Sequence, residues 1–318
     1  MKGLSPRNED EREFIKTFDS LCYGQSRFQV WADFVHMFAL SIVNAVDKVH
    51  FEEREKRYLR IVKPYKKEQL EGFAQLARTT VLALEKNPFQ DFLGELYMRC
   101  DLGNEHTGQF FTPYHICELM AQCIIGNEDS TKAHVEKYGY ISLCDPCIGG
   151  GAMMIGAAQA LHSQGINYQQ CAVFVGQDID YTVAMMAYIQ LSLLGCPGYI
   201  RVGNSLTDPM TGHVLFGDGK DTTFYMPMFF SERFEILRQA AIFRKLLCSV
   251  GENEKKSPEQ AISVDNQAKS VDEPPKSVDE IAIPAEEPKK EPDGPPIIEI
   301  SKKKGKALVG QTMFDFGI

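Results

Sequence analysis

The chain has 318 residues, 44% of them hydrophobic, and a formal net charge of −9. This length suffices for one full α/β core and a smaller unit, and the acidic balance argues against a generic polyanion-binding protein. There is no run of eighteen apolar residues, the first residues are charged, and the nine cysteines are an odd number scattered through apolar segments. We therefore expect a cytoplasmic protein with reduced thiols and no membrane attachment.

The first hundred residues predict a helical N-terminal unit. Apolar side chains recur every three to four residues from Ser26 to about Val49 and again from Glu68 to Glu85, which is typical of amphipathic helices. This unit carries a net charge of +1 and contains a basic cluster: Arg54, Lys56, Arg57, Arg60, Lys63, Lys66 and Lys67. Two interpretations of the cluster stay open, a solvated helix face broken at Pro64 and a contact surface for DNA.

Residues 101–250 have the pattern of an α/β domain. Short apolar runs at Tyr140–Leu143 and Ala172–Val175 end in Asp or Gly, and each is followed by a helical pattern. Such alternation predicts a parallel sheet with crossover helices.

The composition changes after Gly251. From there on the chain has 14 acidic residues, 10 basic residues and 8 of its 16 prolines. A segment of this kind cannot bury enough apolar surface to offset its ordering entropy, so residues 251–307 predict a disordered linker rich in Pro, Glu and Lys.

Residues 308–318 end this tail with an apolar, aromatic stretch, which predicts a docking peptide. Its pattern Gln-x-x-Phe-x-Phe resembles the peptides that bacterial replication and repair proteins insert into the sliding clamp. The residues concerned are Gln311, Met313, Phe314 and Phe316. The alternative is a tail that folds back onto the protein's own sheet.

The stretch "LCDPCIGGGAM" (143–153) could belong to three kinds of site. A structural zinc site needs four ligands, and no second Cys-x-x-Cys or His pair accompanies Cys144 and Cys147, so we expect no metal. A phosphate-binding P-loop needs Lys and Ser or Thr after the last glycine, and neither follows Gly151. The remaining site is a glycine turn after a strand, which lets the backbone approach a nucleoside cofactor.

A second strand end supports the cofactor interpretation. "CAVFVGQDID" (171–180) ends in Asp178 and Asp180, and carboxylates at such a position commonly bind the ribose hydroxyls of a nucleoside. Glycines alone are a weak signal, and a purely structural turn stays open at this point.

Three segments, in their order and spacing, resemble the N-6 adenine DNA methylases of the type I modification-subunit kind. They are "TGQFFTPYHICELMA" (107–121), "DPCIGGGAMM" (145–154) and "GQDIDYTVAMMAYIQLSLLG" (176–195), and "RVGNSLTDP" (201–209) lies where the family has Gly-Asp-Ser-Leu. "DFLGELYMRCDL" (91–102) resembles the helix before the first motif. The resemblance implies a Rossmann-like methyltransferase sheet that binds S-adenosyl-L-methionine, in a divergent member of a phage or mobile-element variety.

The resemblance also implies roles for individual residues. The methionine end of the cofactor would be flanked by Gln109, Phe110, Phe111, Thr112 and Pro113. The cofactor loop would consist of Asp145, Pro146, Gly149 and Gly151. Asp178 would bind the ribose, and Asn204 lies where the family has an Asp that pairs with the cofactor adenine.

The family's catalytic tetrapeptide, Asn/Asp-Pro-Pro-Phe/Tyr, is not in this sequence. By position its best substitute is Met226–Phe229, with Pro227 and Phe229 as candidate catalytic residues. A second candidate is Asp208 with Pro209, which lacks the second proline and the aromatic residue. After a helix at about Ser231–Leu247 the chain passes into the linker, so we expect an incomplete methyltransferase sheet.

Two functions follow. The first is an S-adenosylmethionine-dependent adenine N-6 DNA methyltransferase, which the motif series favours. The second is a methylase-derived protein that binds the cofactor without catalysis and acts through partners, which the missing tetrapeptide favours. The expected partners are DNA, bound directly or indirectly, a sliding clamp, and a further methylase or specificity subunit.

Overall fold

A computed structural model describes residues 6–100, 102, 111–254 and 297–299. The helices are α1 (Glu9–Leu21), α2 (Arg27–Val46), α3 (Phe51–Val62), α4 (Lys67–Lys86), α5 (Phe92–Arg99), α6 (Tyr114–Ile125), α7 (Glu128–Tyr138), α8 (Ala152–Ser163), α9 (Tyr168–Cys171), α10 (Tyr181–Leu193) and α11 (Glu232–Glu254). The strands are β1 (Ile141–Asp145), β2 (Ala172–Asp178), β3 (Gly198–Val202), β4 (Thr223–Tyr225) and β5 (Ile297–Glu299).

Seven helices precede β1, and α2 and α4 lie where the apolar spacing predicts helices. Side chains fix where the first two begin: Asn8 accepts a hydrogen bond from the N–H of Glu11, and Ser26 accepts one from Gln29. Their inner faces form an aromatic cluster in which the rings of Phe14 and Trp31 lie 5.8 Å apart. Aromatic burial of this kind is a large apolar contribution to stability.

The helices and the sheet share one hydrophobic core. Helix α2 packs against α10, and buried side chains run without a break from α1 to β4. The chain up to Arg238 and strand β5 belong to one compact unit, and residues 239–294 are assigned to another. The predicted boundary at residue 100 therefore does not separate compact units, because the apolar faces of α2 and α5 are covered by the α/β part.

The sheet has five strands in the order β4-β3-β2-β1-β5. Strands β3, β2, β1 and β5 are parallel, and β4 pairs with β3 in the antiparallel sense. Helices α8 and α10 make the crossovers between the parallel strands. The predicted α/β fold is confirmed.

Parts of the predicted linker have regular structure. Helix α11 continues to Glu254, and residues 297–299 form β5, which pairs with Ser142–Cys144. A strand from residues after 250 thus extends the sheet on the β1 side. The proposed docking peptide, Gln311 to Phe316, lies outside the described residues.

Helix α2 is long and apolar enough to cross a membrane, but 61% of that stretch is buried inside the protein. Its packing is therefore that of a helix in the protein core. Eight of the nine cysteines have described side chains, and these eight form no disulfide. Most are buried, as expected for core thiols, whereas Cys123 is exposed.

Candidate cofactor site

The glycine loop begins where β1 ends. The Asp145 carboxylate accepts a hydrogen bond from the N–H of Cys147 at 3.0 Å, which turns the chain away from the strand. Gly149 and Gly151 have φ values of 57° and 95°, a backbone region that favours glycine. A Cβ atom on Gly151 would lie 3.2 Å from that of Ala187. The loop is therefore glycine-rich for conformation and for close packing against α10.

The acid at the end of β2 contacts this loop directly. One carboxylate oxygen of Asp178 accepts a hydrogen bond from the N–H of Gly149 at 2.9 Å, and the other accepts one from the N–H of Asp180 at 3.0 Å. Asp180 in turn caps α10 by accepting from Thr182 and Val183. Two motifs that the sequence separates by about thirty residues thus meet at one edge of the sheet.

Asn204 lies next to Asp178 because β2 and β3 are paired there. The N–H of Gly203 donates to the backbone carbonyl of Asp178 at 2.9 Å. The side-chain oxygen of Asn204 accepts from the N–H groups of Leu206 and Thr207, at 2.9 and 3.3 Å. Two N–H groups donate to this atom, so it is the amide oxygen, which is an acceptor. The amide nitrogen of Asn204, which is a donor, is then the atom that a ligand could contact.

Gln177 positions the turn that contains Asn204. Its side chain is fully buried, and its amide nitrogen donates to the carbonyl of Asp208 at 2.9 Å. A Cβ atom on Gly203 would lie 3.0 Å from this nitrogen. Sequence reasoning missed Gln177, although its place inside an otherwise apolar strand is a signal.

A buried network joins α5 to the glycine loop. The side-chain nitrogen of Gln190 donates to Asp91 and to the carbonyl of Gly150, both at 2.8 Å, and its oxygen accepts from the N–H of Leu93 at 3.0 Å. Asp91 also accepts from the N–H of Gly94. Gln190 and Asp91 are both at least 97% buried, so this network holds the glycine loop in place from the interior of the protein. Neither was a predicted site residue.

The Phe-Thr-Pro motif lies in part outside the described residues, which begin again at Phe111; Gln109 and Phe110 are therefore not placed. The ring of Phe111 stacks on Tyr97 with centroids 5.5 Å apart. Thr112 accepts a hydrogen bond from the thiol of Cys117, and Pro113 precedes α6. Helix α6 packs closely on α8, the helix that follows the glycine loop.

Two apolar side chains are exposed beside the polar strand ends. Ile179 follows Asp178 and is 69% exposed, and Leu206 lies in the Asn204 turn and is 91% exposed. Large apolar groups beside acceptors for hydroxyl groups suit the faces of a purine. Neither was predicted, although an isolated apolar residue within a polar loop is the sequence signal.

Residues 91–226, which include all of these strand ends, match the family model described as N-6 DNA Methylase. This region, less than half of the chain, is similar to the N-6 DNA methylase family. The resemblance found in the sequence is thereby confirmed, and the methylase region runs from the start of α5 to the residue after β4.

One solved structure similar to this chain is the type I restriction-modification system methyltransferase subunit from Streptococcus thermophilus. The two are 18% identical, with a TM-score of 0.33. The match covers 61% of this chain and 40% of that one. The chain thus spans well under half the length of that subunit.

In the methylase region, Met226–Phe229 lies at the edge of the sheet opposite the glycine loop. Because β4 is antiparallel, Tyr225 pairs with Tyr199, and the N–H of Met226 donates to the carbonyl of Gly198 at 2.9 Å. Gly198 begins β3, about 13 Å from the cofactor edge at a rise of about 3.3 Å per residue. The candidate catalytic residues Pro227 and Phe229 are therefore remote from the strand ends that carry Asp145, Asp178 and Asn204.

Phe229 also has no free ring face for a base. It is 4% exposed and stacks on Tyr225 with centroids 5.1 Å apart, while the guanidinium of Arg238 lies 4.9 Å from its centroid. These contacts make Phe229 a core residue.

Asp208 and Pro209 lie in the connection from β3 to β4 and bind a buried cation. Arg201 is fully buried and donates to the Asp208 carboxylate and to the carbonyl of Pro209. Lys220 donates to Asp208 at 3.0 Å, and the two hydrogen bonds hold the pKa of this carboxyl below its ordinary value. Asp208 and Pro209 thus tie the connection from β3 to β4 to Arg201. The carboxylate of Asp208 is paired with two cations and is not presented to an amine.

No group of three His, Cys, Asp or Glu side chains suited to a metal ion is found among the residues that the structure describes.

Proposed function

We propose that the methylase region binds S-adenosyl-L-methionine at the carboxyl ends of β1, β2 and β3. The observation that carries this proposal is the hydrogen bond from Gly149 to Asp178, which joins the glycine loop and the acid into one site. A nucleoside with an extended substituent needs both groups, because its hydroxyls require acceptors and its chain requires close approach of the backbone.

The donor and acceptor set fits this cofactor. The half-buried carboxylate of Asp178 can accept from two ribose hydroxyls, and Asn204 offers an amide donor to a ring nitrogen of the adenine. Ile179 and Leu206 offer apolar contact to the purine faces. The remaining candidate cofactor-binding residues are Phe111, Thr112, Pro113, Asp145, Pro146 and Gly151. We expect Gln109 and Phe110 beside the methionine end of the cofactor.

The reaction that we propose for this family site is methylation of the N-6 amine of adenine in DNA. Bound at this site, S-adenosylmethionine would supply the methyl group of its sulfonium. Transfer to the amine would leave S-adenosylhomocysteine and release one proton to solvent. The amine nitrogen is a poor nucleophile, so the reaction needs an acceptor that orients it and an aromatic face for the flipped base.

We propose that the base-holding groups come from another chain, such as a further methylase or specificity subunit. This rests on the placement of Met226–Phe229 at the opposite sheet edge. The second candidate is a cofactor-binding protein that transfers no methyl group, and the burial of Phe229 favours it. A cytoplasmic location suits both functions.

Two measurements test this proposal. Calorimetry with S-adenosylmethionine and its demethylated product should show binding by the full chain, and no heat at millimolar ligand would contradict the cofactor assignment. Tritium transfer from labelled cofactor to mixed-sequence DNA should be weak or nil for the isolated chain. Robust transfer that is lost in Asp208→Asn but unchanged in Phe229→Leu would place the chemistry at residue 208 instead.

We also propose that the C-terminal peptide contacts a sliding clamp through Gln311, Met313, Phe314 and Phe316. Such a tether would raise the local concentration of DNA around an acidic protein. A fluorescence titration of residues 307–318 against the host clamp tests it. Equal binding by a peptide with Phe314→Ala and Phe316→Ala would refute the contact.

A further inference from the structure

We propose that the α3–α4 turn is a contact surface for the phosphate backbone of DNA. The surface, called here the turn patch, consists of Arg60, Lys63, Lys66 and Lys67. The inference rests on the proposed function in one respect, that the partner is DNA.

Two cations of the predicted basic cluster are held by the protein itself. Arg54 is 4% exposed and donates to the carboxylate of Asp47 at 2.6 Å and to the carbonyl of Thr223 at 3.0 Å. The guanidinium of Arg57 lies 3.6 Å from the ring centroid of Tyr181. These contacts anchor the inner face of α3 to β4 and α10, so neither cation is available to a partner.

The other cations of the cluster point to solvent. Lys56, Arg60 and Lys63 have the i, i+4, i+7 spacing of one helix face, and Lys56 is paired with Glu53 at 2.8 Å. All four residues of the turn patch are exposed. Among the described residues the one ion pair made by the turn patch is Lys67 with Glu71, at 4.0 Å.

The local sequence concentrates this charge. From residue 56 to residue 67 there are six cations and no acidic residue, in a protein whose net charge is −9. The positive charges of Arg60 and Lys63 stabilise α3, since the helix dipole favours cations at the carboxyl end. Helix stability does not account for Lys66 and Lys67, which begin α4, where the helix dipole disfavours cations.

The anchor of α3 also sets where the turn patch lies. Tyr181, under Arg57, begins α10 three residues after Asp178. Arg60 follows Arg57 by three residues, which is about one helical turn along α3. The turn patch therefore extends from the cofactor edge of the sheet. The turn patch attracts a polyanion that reaches this edge. Residues 101–250 carry a net charge of −6 and repel the same polyanion.

The test compares two variants of the full chain with equal change in charge. The first replaces the turn patch (Arg60→Gln, Lys63→Gln, Lys66→Gln, Lys67→Gln). The control replaces four other exposed cations, Arg12, Lys16, Lys132 and Lys137, with Gln. Binding of a labelled mixed-sequence duplex of about thirty base pairs is followed by fluorescence anisotropy across a series of salt concentrations, with cofactor present.

The slope of log K against log salt is negative for DNA binding, and each phosphate contact contributes about 0.9 to its magnitude. We expect this magnitude to decrease by about 3 to 4 in the turn-patch variant and by less than 1 in the control. An unchanged slope in the turn-patch variant, equal losses in both variants, or no DNA binding by the parent chain would overturn the proposal. Displacement of the duplex by polyglutamate at equal charge concentration would also overturn it, in favour of an acidic protein partner.

Calorimetric affinity for S-adenosylmethionine should be the same in the parent chain and both variants. This measurement separates the two proposals, because a failure of cofactor binding appears in all three proteins and a failure of the DNA surface does not.

Discussion

The carboxylate of Asp178 and the N–H of Gly149 are 2.9 Å apart and form one hydrogen bond between the end of β2 and the loop after β1. In the proposed cofactor site the same carboxylate is the acceptor for the ribose, so one side chain would serve both the ligand and the loop geometry.

We expect Asp178→Ala to weaken S-adenosylmethionine binding by about 1–3 kcal/mol, the cost of a lost hydrogen bond to a charged group. Titration calorimetry measures it. Asp129→Ala is the matched control, because Asp129 is an exposed carboxylate on α7 and its loss should leave the affinity unchanged. Equal affinity of Asp178→Ala and the parent chain would remove Asp178 from the site.

Asn204→Asp should strengthen binding of the adenine cofactor. One carboxylate oxygen would keep the bonds to the N–H groups of Leu206 and Thr207, and the second would accept from the adenine amine, which the amide nitrogen of Asn204 cannot do. A change of about three- to tenfold in Kd corresponds to one such bond of about 0.6–1.4 kcal/mol. Weaker binding by Asn204→Asp would mean that the base presents an acceptor to this residue.

Gln190→Leu should destabilise the fold by about 1–3 kcal/mol, because the substitution leaves the buried Asp91 carboxylate and the N–H of Leu93 without this partner. Urea unfolding measures the loss. Gln122→Leu, an exposed glutamine on α6, is the control and should change stability by less than about 0.5 kcal/mol. A stability equal to that of the parent chain would show that the network adjusts without cost.

His36 should make the protein less stable in acid. Burial lowers the pKa of His36 to about 4, with a smaller contribution from Arg57, whereas the ordinary value is 6.5. Above pH 6.5 both folded and unfolded chains hold a neutral His36. Below it the unfolded chain binds the proton first, so stability falls as the pH decreases from 6.5 to about 4.

The decrease attributable to His36 between pH 7 and pH 5 should be about 2 kcal/mol. His36→Gln should reduce the pH dependence of unfolding in that range, while His162→Gln, at an exposed position, should not. Parallel stability curves for the parent chain and His36→Gln would show that the folded protein admits the charged imidazole.

The position of much of the candidate cofactor site was predictable, because its residues lie directly at strand ends. Gly149 and Gly151 follow a strand directly, and Asp178 ends the next one, so a reader of the sequence can place all three at strand ends. The residues that support them were not predictable. Gln190 and Asp91 are about a hundred positions apart, and only the packing of α5 on α10 brings them together.

The direction of β4 was likewise beyond the sequence. A short apolar run such as Thr223–Tyr225 fits a parallel or an antiparallel strand equally well, since side chains alternate in both. The pairing decides the matter, and with it the edge at which Met226–Phe229 lies. Burial of Arg54 is a similar case, because the sequence shows its charge but not Asp47 beside it.

Strand β1 would be an outermost strand without residues 297–299, which pair with it. An outermost strand presents unbonded N–H and C=O groups to any extended chain, which is a common start of edge-to-edge aggregation. All five residues of β1 are buried, and Ile141, Leu143 and Cys144 would give such an edge apolar side chains. The solubility of this sheet therefore depends on three residues that follow β1 by more than a hundred positions, and a shortened chain that lacks them is the form in which self-association should first appear.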